Sequence, residues 1–205
     1  MISAIVLAAG KSTRMGKAKL LLPVGGKSII RIVVEHALRS KAGEVIVVLG
    51  SEASRIRREV ELAGSELAAV ASPLKIVENP RFEEGQSTSL KAGLSSVDER
   101  CEGVLVLMGD QPFVGQDILD ALIGQFHASN APLIIPEYDG VRATPILFGR
   151  ELFSDLMAVT GDKGGRDVVT KHLKRALVVR VESGLAGRDV DTWEDYLEMC
   201  GKGAW

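Results

Sequence analysis

"SAIVLAAGKSTRMGKAKLLLP" occupies residues 3–23 and changes character halfway along. Residues 4–9, "AIVLAA", are an unbroken apolar run, the pattern of a strand buried on both faces. Directly after it stand Gly10, Lys11, Arg14, Gly16, Lys17 and Lys19. Glycines let a backbone approach a ligand closely, and exposed amides in such a turn form an anion-binding nest. Arg14 can grip two phosphate oxygens through its planar fork, and Lys19 offers a mobile point charge. The stretch therefore reads as a strand that opens into a phosphate grip, with a solvated turn as the plain alternative.

Two well-known grips do not fit. A P-loop needs a glycine five residues before Gly-Lys-Ser/Thr. Gly16-Lys17 is followed by Ala18, and Gly26-Lys27-Ser28 has Leu21 at the required place. A dinucleotide fingerprint would need a glycine at 12 or 13, where Ser12 and Thr13 stand.

Outward from this stretch, short apolar runs alternate with helical patterns. Strands are predicted at 44–50, 74–79, 103–110, 132–136, 144–149 and 176–182. Helices are predicted at 29–39, 53–64 (stopped by Gly64), 88–97, 117–128, near 150–158, near 165–174, and from Thr192 onward. Such alternation predicts one α/β domain over residues 1–205. Its sheet is mostly parallel and Rossmann-like, with helices on both faces. "EYDGVRATPILFG" (137–149), with a turn at Asp139-Gly140, interrupts the rhythm and predicts a small antiparallel excursion. Ligands of such folds gather at the strands' carboxyl ends. The informative residues should therefore follow Ala9, Glu78, Met108 and Leu147.

Composition bounds the rest. The 205 residues are 46% hydrophobic and 25% charged, enough to bury a core without disulfides or structural metals. A formal net charge of −2 argues against nucleic-acid binding. Cys101 and Cys200 lie far apart, outside any metal-ligand spacing, and read as reduced thiols or bystanders. His36, His127 and His172 are equally scattered and read as surface or packing residues. No secretory pattern precedes the first strand, and no apolar run reaches the roughly 20 residues of a membrane span. A cytoplasmic protein without a membrane partner is expected.

Three further stretches carry chemistry. Asp110 stands at the carboxyl end of the predicted strand "GVLVLMGD" (103–110), in "GDQP", well placed for a divalent cation, or else for capping the turn before Pro112. "GQSTSLKAGL" (85–94) reads as a loop entering a helix, capped by Ser87 or Thr88. In "DVDTWEDY" (189–196), Thr192 and Asp195 fit a capping box.

At this point pattern becomes resemblance. "LAAGKSTRMGKAKLLLP" (7–23) resembles the signature loop of the MobA-like nucleotidyltransferases that make dinucleotide forms of molybdenum cofactor. "GQSTSLKAGL", "GDQP", "TPILF" (144–148), "GDKGGRDVV" (161–169) and "DVDTWEDY" extend the likeness over nearly the whole chain, in the same order. The resemblance implies a nucleotide-diphospho-sugar transferase-like fold and Mg²⁺-dependent nucleotidyl transfer. It makes Asp110 the principal metal ligand and draws a second from the 189–191 segment, Asp191 by choice with Asp189 open. Lys19 would stabilise the pentavalent phosphorus, and Arg14 the departing pyrophosphate. Leu7, Ala8, Ala9, Gly10, Gly85, Ser87 and Ser89, with Arg14 and Lys19, would contact the nucleotide. Arg142, Lys163 and Arg166 would meet the acceptor's phosphate.

The implied acceptor is molybdopterin-type molybdenum cofactor and the implied donor CTP, because cytidylyl-transferring relatives share Leu-Ala-Ala-Gly with Ala9. A recipient molybdoenzyme would be a transient partner. Two departures concern the acceptor wall: Arg142-Ala143-Thr144-Pro145 where relatives often read arginine-glycine-histidine-proline, and Gly165 where alanine is common. GTP as donor, a sugar- or alcohol-phosphate acceptor, and a non-catalytic cofactor chaperone remain as alternatives.

Overall fold

The computed structural model describes residues 1–11, 18–69, 72–182 and 186–201. The opening run forms β1 (Ile2–Ala8), buried at every position. A 3-10 turn (Lys19–Leu21) leads into a two-stranded ribbon, β2 (Pro23–Val24) and β3 (Lys27–Ser28). Then follow α1 (Ile29–Arg39), β4 (Glu44–Leu49), α2 (Ala53–Leu67), β5 (Leu74–Glu78) and α3 (Gln86–Leu94). Next come β6 (Gly103–Met108), α4 (Gln116–Ala128), β7 (Leu133–Tyr138), β8 (Val141–Arg142) and β9 (Ile146–Gly149). The chain continues through α5 (Phe153–Ala158), α6 (Arg166–His172), β10 (Ala176–Val181) and α7 (Trp193–Gly201).

The main sheet runs β10-β7-β9-β6-β1-β4-β5, with β8 attached to β7. β1 pairs in parallel with both β4 and β6, β4 with β5, and β10 with β7. Only β9 runs against them in this path, pairing antiparallel with β6 and β7. The antiparallel excursion is present, but it sits inside the sheet rather than beside it. The β2–β3 ribbon was not legible as a pair of strands, because two residues per strand carry no periodicity.

Alternation along β1 explains the layers. Ala4, Val6 and Ala8 face a core shared with Val33, Ala37 and Leu38 of α1, Val60 of α2 and Leu119 of α4. Ile5 and Leu7 face the other core, with Leu90 of α3, Leu156 of α5 and Val168 of α6. Successive strand residues point to opposite faces, so an all-apolar strand demands helices on both. A third cluster packs Val24 and Ile29 against Val190 and Met199, which docks the 190–199 segment on the ribbon. Tyr196 secures it by donating its hydroxyl to the Pro23 carbonyl at 2.6 Å.

One helix end departs from expectation. Gly64 does not stop α2, which continues to Leu67. A Cβ on Gly64 would lie 2.8 Å from Leu74 Cδ2, so glycine here permits close packing of α2 on β5.

Candidate active site

Leu7 pairs with Val48 on one side and Met108 on the other, so the loops leaving β1, β4 and β6 share one sheet edge. The chain winds from β1 through β4 to β5, then returns to place β6 on β1's opposite flank. That reversal opens a crevice, the usual ligand position in such sheets.

Two features meet there. The first is a cleft of about 410 Å³ lined by Leu7, Ala9, Gly10, Lys11, Phe82, Glu83, Gln86, Ser89, Met108 and Asp162. Lys11 closes its rim through a 2.5 Å ion pair with Glu83. Ala9 packs tightly at its floor: a Cβ on Gly50 would stand 2.8 Å from the Ala9 methyl. Ser89 is held by Asn79, whose side-chain amide donates to Ser89 Oγ at 3.0 Å and Thr88 Oγ1 at 2.8 Å.

The second feature is a lysine between carboxylates. Lys19 Nζ donates to Asp110 Oδ2 at 2.6 Å and to Asp191 Oδ1 at 2.9 Å. The Lys19 side chain is only 11% exposed. Burial alone would lower its pKa, but the charge and hydrogen bond of Asp110, joined by Asp191, hold the ammonium above its ordinary value. Asp189 lies near the same cluster. Burial first, then the negative charge of Asp110, raises its carboxyl above the ordinary range, while a 2.7 Å hydrogen bond from Gln111 Nε2 opposes the rise.

Asp110 Oδ1 is buried and is the one such side-chain atom without a partner among the described residues. A buried carboxylate oxygen left unsatisfied calls for a missing partner. Among the described residues no group of three or more His, Cys, Asp or Glu side chains could together hold a metal ion. A Mg²⁺ ion typically takes one or two protein carboxylates and fills its remaining positions with water and substrate phosphates. The donor set of Asp110 and Asp191 fits that group.

The remaining sequence candidates fall unevenly. Leu7, Ala9, Gly10 and Ser89 line the cleft. Ala8 points into the opposite core. Ser87 is buried and outside the lining. Neither Ser87 nor Thr88 caps α3: Gly85 is the N-cap residue, and the Gln86 amide donates instead to Asp162 Oδ1 at 3.2 Å. Gly85 adopts φ +111°, and this near-glycine-only conformation lets the Gly161 turn approach. The 161–169 stretch thus joins the cleft through Asp162. The Thr192–Asp195 capping box is present, with Asp195 N donating to Thr192 Oγ1 at 3.1 Å and Thr192 N to Asp195 Oδ2 at 2.8 Å.

Arg142 lies 3.8 Å from Glu137, and Lys163 lies 3.2 Å from Asp167. Arg166 opens α6 on the surface. None of these three lines the cleft. Arg14 lies outside the described residues. Gln86, Met108, Asp162 and Gln111 were missed. For Gln86, Asp162 and Gln111 the signal was their place in the resembling stretches, and Met108 ends the strand before one of them, but their convergence needs the fold.

A sheet that opens at its switch point onto a cleft and a lysine-bridged carboxylate pair has the build of a nucleotidyltransferase. The chain belongs to the MobA-like NTP transferase family, whose model matches residues 4–176, and is an enzyme of nucleotidyl transfer. It is similar to purine catabolism protein PucB of Bacillus subtilis, 29% identical over 94% of this chain and 92% of that protein. It is also similar to the molybdenum cofactor cytidylyltransferase of Escherichia coli K12, 27% identical over 96% and 94%. Among solved structures, Rv0371C of Mycobacterium tuberculosis in complex with manganese superposes with a TM-score of 0.78. The two are 28% identical, with 98% of each chain covered. No described helix is long and apolar enough to cross a membrane.

Proposed function

We propose that this protein transfers CMP from CTP to a molybdopterin-type molybdenum cofactor, releasing pyrophosphate, with Mg²⁺ as cofactor. The observation that carries the reading is the pair Asp110 and Asp191 around Lys19, next to the cleft and with Asp110 Oδ1 unsatisfied. The likeness to the E. coli cytidylyltransferase supports the acceptor, and Ala9 at the cleft floor supports the base.

In this reading the cleft takes the nucleoside, with Ser89 and Gln86 offering polar contacts and Leu7, Ala9 and Met108 an apolar bed. The acceptor's phosphate attacks the α-phosphorus, and the α–β bridging bond breaks. A phosphate is already a nucleophile, so no histidine base is needed. Catalysis is then mostly positioning and electrostatics. Asp110 and Asp191 would hold Mg²⁺, which supplies positive charge to the phosphates. Lys19 keeps its proton at neutral pH and meets the charge that develops on the α-phosphate oxygens. Arg14 serves the departing pyrophosphate. Arg142, Lys163 and Arg166 await the acceptor from the surface. The encounter with a recipient molybdoenzyme would follow transfer.

The test is to incubate the purified protein with molybdenum cofactor, Mg²⁺ and either CTP or GTP, and to follow pyrophosphate. Release with CTP alone is expected. Release with GTP alone would overturn the base, and silence with both would overturn the acceptor.

A further inference from the structure

Two contacts tie the 189–191 segment to the turn that carries Asp110. Val190 N donates to the Asp110 carbonyl at 3.2 Å, and Gln111 Nε2 donates to Asp189 Oδ1 at 2.7 Å. The first is backbone and independent of side-chain identity. The second depends on one side-chain amide, that of Gln111, a residue only 2% exposed.

The orientation of the amide is set from its other end. Thr144 Oγ1 donates to Gln111 Oε1 at 2.7 Å. A carboxylate only accepts, so the Gln111 NH₂ must face Asp189 and its oxygen must face a donor. A hydroxyl can be that donor. Thr144 thereby disfavours the flipped amide, in which the Gln111 oxygen would meet the Asp189 carboxylate. The three residues come from three separate parts of the chain.

We infer that Gln111 is a positioning residue. Locked by Thr144, it holds Asp189 and so sets Asp191, two residues on, at cation-sharing distance from Asp110. The inference rests on the proposed role of Asp110 and Asp191 as the metal-holding pair. Lys19 bridges those two carboxylates at 2.6 and 2.9 Å, so a small drift of the 189–191 segment separates them. The segment has little regular structure before α7 begins, which leaves its place to such tertiary contacts.

The experiment measures Mn²⁺ binding by electron paramagnetic resonance on the full chain without nucleotide, then kcat and KM for CTP. Gln111→Leu removes both hydrogen bonds at similar volume. Mn²⁺ affinity should fall by about 10–100-fold, the usual effect of removing a residue that orients a metal ligand. The loss should appear in kcat, with KM for CTP within about twofold of wild type. Thr144→Val should lose several-fold in Mn²⁺ affinity by the same cause, and Thr144→Ser should restore it.

Unchanged Mn²⁺ affinity in Gln111→Leu, even with a lowered melting temperature, would show a merely structural residue and overturn the inference. So would equal losses in Thr144→Val and Thr144→Ser, a comparison that stands if Gln111→Leu does not fold. Wild-type protein that fails to bind Mn²⁺ would instead overturn the reading of Asp110 and Asp191 beneath it.

Discussion

A Cβ placed on Gly85 would stand 2.5 Å from the carbonyl carbon of Gly161, across a junction between residues 76 apart at the adjoining Gln86–Asp162 hydrogen bond. This contact seats the 161–163 turn on the N-terminus of α3 and brings Asp162 to the cleft. Gly85→Ala must therefore both leave a near-glycine-only conformation and push back a backbone. A cost of about 1–3 kcal/mol from the conformation alone is expected, with weakened nucleotide binding. Gly161→Ala, also at positive φ but with open space around its Cβ, should cost roughly 1–2 kcal/mol. Chemical denaturation of both variants, with nucleotide titration, checks the order.

Asp110→Asn should leave the circular dichroism spectrum unchanged, since Lys19 keeps Asp191 as a partner. Mn²⁺ affinity and turnover should each fall by about a hundredfold or more, because the ligand with the unsatisfied oxygen has lost its charge. Turnover at the wild-type rate would remove Asp110 from the metal site.

Lys19→Met should lower kcat far more than it raises KM for the nucleotide, because a charge placed for the transition state acts there rather than on binding. Stability gives a second check. The native pKa of Lys19 is raised, so its stabilising contribution is present below the unfolded value and is lost only as pH climbs through the native one. The stability difference between wild type and variant should stay flat through neutral pH and shrink only in strong alkali.

His36 predicts the opposite edge. Burial, the largest influence, pushes its imidazole below the ordinary range, while its Nδ1 sits 3.1 Å from the Val114 carbonyl. A depressed base binds protons more weakly when folded. Stability from His36 is complete above the ordinary imidazole value of about 6.5 and is lost as pH falls from there toward the native value. His36→Gln should flatten that limb of a denaturation series between neutral and mildly acidic pH.

The fold was legible because its strands are written locally. Residues 45–49 and 103–108 are apolar runs whose length and neighbours leave little choice. Lys19, Asp110 and Asp191 were each singled out by strand-end position and resemblance, but the ion pairs that join them were not legible. What stayed hidden was pairing over distance. Nothing around Gln86 announces that Asp162 will supply its cap, because Ser87 and Thr88 are good capping residues at plausible positions. The two-residue strands of the ribbon were invisible because two residues carry no repeat to read.

Lys19 is joined to one carboxylate 91 residues away and to another 172 away. The entropy of closing a loop grows only logarithmically with its length, so the second closure costs little more than the first. The larger effect is on timing during synthesis. A chain emerging from the ribosome would display Lys19 early, and Asp110 would follow midway. Asp191 completes the trio only after the sheet behind it exists. Under the roles proposed for Asp110 and Asp191, the site would be complete only once nearly the whole chain has been made, and a truncated translation product would lack one of its two carboxylates.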